Sequence, residues 1–296
     1  MGTERSNGGQ TNVQLDATPF RPEGTLVVIG GNEEKEGHRP ILELIAKRAA
    51  KGKLLVVTVA SEQPEEQWER YEKTFKELGV ARLEQFDARS REELLEQSRP
   101  ELLDEDTVIF FAGGDQMKIT SKFGGTPLCD RMRQLYTGGA LIAGTSSGAS
   151  VMAEVMMAAG EGESSHQGQE SVRLSPGLGL ISGVIIDQHF AERGRMGRLL
   201  GAVAQNPRLL GIGVDEDTAL VLQGHHQAAV IGSGAVYIID GRSITHTKLP
   251  ENENDAISVF GVTVHVLSRG DRLNLGNRAP GAGRTEDIES DLVAVA

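Results

Sequence analysis

At 296 residues, 39% of them hydrophobic, the chain has apolar material for one or two folded domains. Its 42 acidic residues exceed its 30 lysines and arginines, and the formal charge of -12 argues against nucleic acid or an anionic membrane as partner, whose phosphates would be repelled. No run approaches the roughly 18 uninterrupted apolar residues of a membrane-spanning helix, and the stretch MGTERSNGGQTNVQLDATPF lacks the apolar core of a secretory signal, so a cytoplasmic location is expected.

Residues 1–23 are polar, as is the Gly/Asn/Asp-rich end 277–296; both are expected to be flexible tails around a single domain spanning 24–276. Along that domain, short β-branched runs alternate with helical patterns: TLVVIG (25–30), KLLVVTVA (53–60), ARLEQFDA (81–88), DTVIFFAG (106–113) and GALIAG (139–144). Four of the five are almost wholly apolar, as strands buried on both faces are, and strands separated by helices run parallel. Leu42, Ile45, Ala46 and Ala49 fall on one helical stripe, as do Trp68, Tyr71, Phe75 and Leu78. The lone cysteine, Cys129, excludes an internal disulfide and a multi-thiolate zinc site, and within PLCDRMRQLY it reads as a small core residue of an amphipathic helix. A Gly/Ser/Glu-rich loop (160–176) precedes GVIIDQHF, a helix from about Gly194 to Gln205, and LLGIGVDEDTALVLQ. In HHQAAVIGSGAVYIIDG two β runs are split by Gly-Ser-Gly, a hairpin signal. The expected fold class is α/β, a doubly wound and mostly parallel sheet with a C-terminal antiparallel edge.

Ligands of open parallel sheets bind beyond the carboxyl ends of strands. There, IAGTSSGASVMAEVMM (142–157) fits G-x-S-x-G between a strand and a helix, the nucleophile elbow that exposes the hydroxyl of its central serine, Ser146. The backbone N–H of Ser147 can face a developing oxyanion. In FFAGGDQ (110–116), Asp115 reads as a helix N-cap, Gly113 or Gly114 can offer a second N–H, and Gln116 can point at substrate. A serine nucleophile needs a base. Of seven histidines, His189 alone directly follows an apolar strand; His225 and His226 sit at a polar turn and His166 in the Gly/Ser-rich loop. The orienting acid is Asp215, Glu216 or Asp217, among which spacing does not choose. GNEEKEG (31–37) follows the first strand as a phosphate loop would, but it lacks G-x-G-x-x-G and places acids where phosphate would sit.

The ordered set GGDQ, GTSSGAS, DQHF followed by Arg193, Arg195 and Arg198, and GIGVDEDTAL, spread over about residues 24–240, resembles the cyanophycinases, serine peptidases of the family that also contains the aspartyl dipeptidases. The resemblance implies a flavodoxin-like fold akin to class I glutamine amidotransferases, a homodimer, and a triad of Ser146, His189 and Glu216 without metal or organic cofactor. The oxyanion donors are then the N–H groups of Gly114 and Ser147. The implied substrate is cyanophycin, a poly-aspartate whose side-chain carboxyls are joined to arginine, released as β-Asp-Arg dipeptides. Family substrate-binding positions fall on Gln116, Asp187, Gln188, Arg193, Arg195 and Arg198. Guanidinium groups bind carboxylates bidentately, while Asp187 and the amide oxygens are expected to accept from the substrate's arginines. Ser147 departs from the family, which usually has Ala there. The rival expectations are a dipeptidase acting on short aspartyl or isoaspartyl peptides, and a catalytically silent peptide-binding protein; the three arginines favour the polymer.

Overall fold

The computed structural model describes residues 24–98, 100–158, 173–224, 226–249 and 256–283. His166, His225 and the expected N-terminal tail lie outside the described residues.

Strands β1 (Thr25–Ile29), β2 (Lys53–Val57), β3 (Leu83–Phe86), β4 (Thr107–Phe111) and β5 (Leu141–Thr145) run parallel in the spatial order β1-β5-β4-β2-β3. All but the edge strand β3 are buried along their whole length, as their apolar composition requires. Helices α1 (Pro40–Ala49) and α2 (Pro64–Glu77) each begin with a proline, whose missing N–H has no partner to lose in a first turn. They cover one face of the sheet, packing Ile41, Ile45, Tyr71 and Phe75 with Val27, Ile29, Val56 and Phe110. Helices α3 (Arg91–Gln97), α4 (Gln116–Phe123), α5 (Pro127–Thr137) and the four-residue α6 (Ser147–Ser150) lie on the other face, with Val28, Val57, Ile109 and Phe111. Asp115 caps α4 by accepting from Met117 N at 2.7 Å, and Cys129 is fully buried on α5.

The second half adds β6 (Val155–Met157), β7 (Leu174–Pro176), β8 (Val184–Gln188), α7 (Met196–Gln205), β9 (Leu210–Val214), β10 (Thr218–Gln223), β11 (Gln227–Gly232) and β12 (Val236–Asp240). It ends with β13 (His246–Lys248), β14 (Ser258–Phe260), β15 (Thr263–Leu267), β16 (Arg272–Asn274) and β17 (Ala279–Gly281). β10, β11, β16 and β17 join beyond β1 as the antiparallel edge, completing nine strands. Paired structure thus reaches Gly281, past the boundary expected at residue 276.

β8, β9, β12 and β15 form a separate four-stranded sheet that composition did not announce. It shares one apolar cluster with the main sheet, through Ile186, Ile212, Val214 and Ile238 on one side and Leu26, Val28 and Ile142 on the other. Helix α7 closes its far face with Leu199 and Val203 against Ile185 and Ile239. The expected hairpin at Gly232-Ser233-Gly234 is therefore corrected: β11 and β12 belong to different sheets, and the glycines carry the chain between them. A Cβ at Gly234 would stand 2.7 Å from Thr218 Oγ1 and 2.8 Å from Asp215 Cβ, so glycine is needed there for clearance, while Gly232, at φ 104°, supplies a backbone conformation that other residues rarely adopt. No helix among the described residues is long and apolar enough to cross a membrane.

Candidate active site

β5 passes directly into α6 at Ser146, whose φ of 55° and ψ of -119° are unfavourable for a residue with a side chain. The turn closes because its neighbours are small: a Cβ at Gly144 would meet Gly148 O at 2.3 Å, and one at Gly148 would meet Phe111 O at 2.3 Å. Ser146 N donates to Ile29 O at 3.0 Å, tying the turn to the end of β1.

Ser146 Oγ lies 2.9 Å from His189 Nε2, and His189 Nδ1 lies 2.6 Å from Glu216 Oε1. Ser146 ends a main-sheet strand, His189 follows β8 in the second sheet, and Glu216 sits where the chain leaves that sheet at β9 and enters the main sheet at β10. Burial pushes the Glu216 carboxyl up, yet hydrogen bonds from His189 and Asn32 and the neighbouring positive charge of Arg193 hold it below its ordinary value. It is thus an anion that accepts from Nδ1–H, leaving Nε2 to accept from the serine hydroxyl. Burial lowers the His189 imidazole, with Glu216 opposing and the Arg193 and Arg195 charges adding to the depression.

Asp215 and Asp217 have other partners. Asp215 accepts from Ala191 N at 2.9 Å and Ala235 N at 3.1 Å, and Asp217 accepts from Glu34 N at 2.9 Å and Ser233 Oγ at 2.6 Å. Both carboxylates tie loops together, and only Glu216 reaches the imidazole.

The Gly113–Gly114 turn runs beside the serine, where a Cβ on Gly113 would stand 3.3 Å from Ser146 Cβ. Gly114, at φ 145°, presses so closely on Ala60 that a Cβ would meet its carbonyl at 2.2 Å. Gln67 Nε2 donates to Gly113 O at 3.2 Å, and in a trans peptide the Gly114 N–H points the opposite way. Among the described residues neither this N–H nor that of Ser147 donates to a backbone carbonyl. The hydroxyl of Ser147 is buried without a hydrogen-bond partner.

Of the expected substrate-binding residues, Asp187, Gln188, Arg195 and Arg198 gather on β8 and the start of α7, Arg193 lies in the turn between these elements, and Gln116 opens α4. Asp187 is fully buried; Arg198 donates to both its oxygens, Nε at 2.7 Å, while Arg195 Nη1 donates to it at 3.1 Å and Gln188 N at 2.9 Å. Arg195 Nη1 also reaches the carbonyl of Gln188 and, at 2.8 Å, Gln188 Oε1. Burial draws the Arg195 guanidinium down to about 10, with Asp187 opposing, so it stays cationic at neutral pH. The expectation that Asp187 would accept from a substrate guanidinium is corrected: its oxygens already hold two arginines and a backbone N–H. Arg193 is exposed, and Gln116 is nearly buried with Nε2 donating to Met157 O at 3.2 Å.

Sequence reasoning weighed the loop after β1 only as a phosphate loop and gave it no part in this site. Gly31, at φ 106°, leaves room for the imidazole, since a Cβ there would stand 2.3 Å from His189 Cε1. Asn32 Nδ2 donates to Glu216 Oε2 at 3.0 Å, and Gly30 O accepts from His189 N at 2.7 Å. The available signal was Gly-Gly at the carboxyl end of a strand that proves to be central, beside β5. Among the described residues no group of three His, Cys, Asp or Glu side chains is arranged to hold a metal ion.

The chain is 39% identical over 265 residues to a cyanophycinase of Nostoc sp., covering 88% of this chain and 89% of that protein. It is 37% identical to one of Geminocystis herdmanii, covering 88% and 97%, and 33% identical to one of Thermosynechococcus vestitus, covering 85% and 79%. A crystal structure of a peptidase from an acI-B1 Actinobacterium shares the fold, with a TM-score of 0.57 at 22% identity over 86% of this chain and 98% of that one. The model of Peptidase family S51 matches residues 26–230, and with relatives this similar over most of its length the chain belongs to that family of serine-type peptidases.

Proposed function

We propose that this chain is a serine exopeptidase that hydrolyses cyanophycin to β-Asp-Arg dipeptides through an acyl-enzyme on Ser146. The observation that carries the reading is the unbroken chain from Ser146 Oγ through His189 to Glu216, at 2.9 and 2.6 Å, on a strand-to-helix elbow. In the proposed mechanism Oγ attacks the scissile carbonyl while His189 Nε2 takes its proton, and Glu216 stabilises the imidazolium that results. The N–H groups of Gly114 and Ser147 receive the oxyanion. His189 then passes the proton to the leaving amine and activates the water that releases the acyl group.

Arg193 and the N–H groups of Arg195 and Arg198 not spent on Asp187 and Gln188 suit the substrate's carboxylates, while the amide oxygen of Gln116 suits its guanidinium groups. Asp187 acts here as the anchor of the two arginines. The curated relatives named as cyanophycinases support the choice of polymer. The homodimer and cytoplasmic location belong to the same reading, and sedimentation velocity and cell fractionation test them.

The deciding experiment is mass spectrometry of products after incubation with cyanophycin, beside Ser146→Ala. The proposal requires β-Asp-Arg from the wild type and a rate at least about a thousandfold lower from the variant. Cleavage of short aspartyl peptides with the polymer untouched would replace the substrate and keep the chemistry.

A further inference from the structure

The loop between β1 and α1 touches His189, Glu216 and the residue that precedes Ser146. Gly31 lies against the imidazole, Asn32 holds the far oxygen of Glu216, and Glu33 reaches the residue bonded to the nucleophile. Only the last of these contacts uses a charge for which the mechanism gives no role. Glu33 is 2% exposed. Its Oε2 accepts from Thr145 Oγ1 at 2.5 Å, and its Oε1 accepts from the Tyr71 hydroxyl at 2.6 Å and from Lys35 Nζ at 3.2 Å. Lys35 Nζ also donates to the backbone carbonyl of Glu33 at 3.0 Å, which fixes the carboxylate to its own main chain.

A buried carboxylate is tolerated when it is paired and hydrogen-bonded, and three donors from three elements meet that condition. Such an arrangement exceeds what anchoring a surface loop requires. Its rigid output is the Thr145 hydroxyl, because a hydrogen bond to an ionised acceptor is roughly twice as strong as a neutral one and a β-branched side chain is stiff about its first torsion. Thr145 is the last residue of β5, and the next residue holds a backbone conformation that persists only where the surroundings over-determine it. The hydrogen bond from Ser146 N to Ile29 O ties the turn on its far side, and Glu33 ties it on the near side.

We propose that Glu33 is a positioning residue for the nucleophile: through the Thr145 hydroxyl it holds the Thr145–Ser146 peptide so that Ser146 Oγ stays in line with His189 Nε2. The proposal rests on the reading of Ser146 as nucleophile.

The test measures kcat and KM on a small activated ester, with active sites counted by fluorophosphonate titration so that unfolded protein does not enter the rate. Misplacing a reacting atom acts on the chemical step, so Glu33→Gln and Thr145→Val should each lower kcat per titrated site by at least about tenfold and leave KM within about twofold. Thr145→Ser, which keeps the hydroxyl, should recover the rate that Thr145→Val loses. The double variant should be no slower than the slower single, because both changes break one link. Should Glu33→Gln fail to fold, Thr145→Val, which exchanges the hydroxyl for a methyl group and keeps the branched shape, decides alone. A Thr145→Val enzyme with kcat within about twofold of wild type, or losses that simply multiply in the double variant, would overturn the proposal. A wild type that fluorophosphonate does not label overturns the parent reading of Ser146 instead, so the two failures are told apart.

Discussion

At the scale of single residues, His189 links structure to pH. With His189 as the proposed base, activity needs its neutral form, so kcat/KM should fall as the medium is acidified through an apparent value lying below the ordinary histidine range, where burial and the Arg193 and Arg195 charges have moved it. Removing a nearby cation favours the protonated imidazole and raises its pKa. Arg193→Gln should therefore move the acid limb of the pH–rate profile toward higher pH, read on a small ester that does not need the arginine for binding; a shift in the opposite direction would sink this account. Ser147 makes a second prediction. Its hydroxyl is buried and unpartnered, a state that costs about 1 to 3 kcal/mol, while the backbone N–H assigned to the oxyanion is indifferent to the side chain. Ser147→Ala should keep most activity and unfold at a higher temperature by calorimetry, and a lower midpoint would show that the hydroxyl has a use.

At the scale of elements, the bend between β9 and β10 carries three acids with three destinies. Glu216→Gln should lower kcat by at least about a thousandfold, since it disturbs the tautomer and the imidazolium, whereas Asp215→Asn should mainly lower the unfolding temperature by weakening the ties to Ala191 and Ala235. Equal losses of kcat in both variants would mean a diffuse electrostatic effect. This bend also shows where the sequence stopped being legible. The apolar runs of β1, β2, β4 and β5 announced a parallel sheet because burial on both faces leaves no polar alternation, and the Gly144–Gly148 pattern announced the elbow because only small residues pack there. Which of Asp215, Glu216 and Asp217 faces His189 was not legible, because the answer depends on two sheets meeting; only resemblance named Glu216. Gly232-Ser233-Gly234 misled for the same reason, since a crossing between sheets and a hairpin both call for glycine. Asp187 was assigned to substrate because nothing in a linear chain reveals that Arg195 and Arg198, eight and eleven positions on, fold back to occupy it.

At the scale of the whole molecule, the proposed nucleophile Ser146 stands at the carboxyl end of β5 in the nine-stranded sheet, and the proposed base and acid, His189 and Glu216, stand beside the four-stranded one. The reacting geometry thus exists only while the two sheets stay packed. A single apolar cluster runs through both, so they should unfold as one cooperative unit. In a urea titration the midpoint for loss of fluorophosphonate labelling should coincide with that for loss of far-ultraviolet circular dichroism. Labelling lost well before the circular dichroism changes would show the second sheet detaching first.

The backbone of Ser146 bears on heredity as well as on chemistry. Glycine ordinarily weakens a fold relative to alanine by roughly 0.5 to 1 kcal/mol, but a conformation like the one at this turn costs any other residue about 1 to 3 kcal/mol. The usual order should invert here: Ser146→Gly should unfold at a higher temperature than Ser146→Ala, though neither carries a hydroxyl, and the reverse order by calorimetry would show the turn to be relaxed. If the order inverts, durability and turnover make opposing demands on one codon. With Ser146 as the proposed nucleophile, glycine at this position would then exchange turnover for durability.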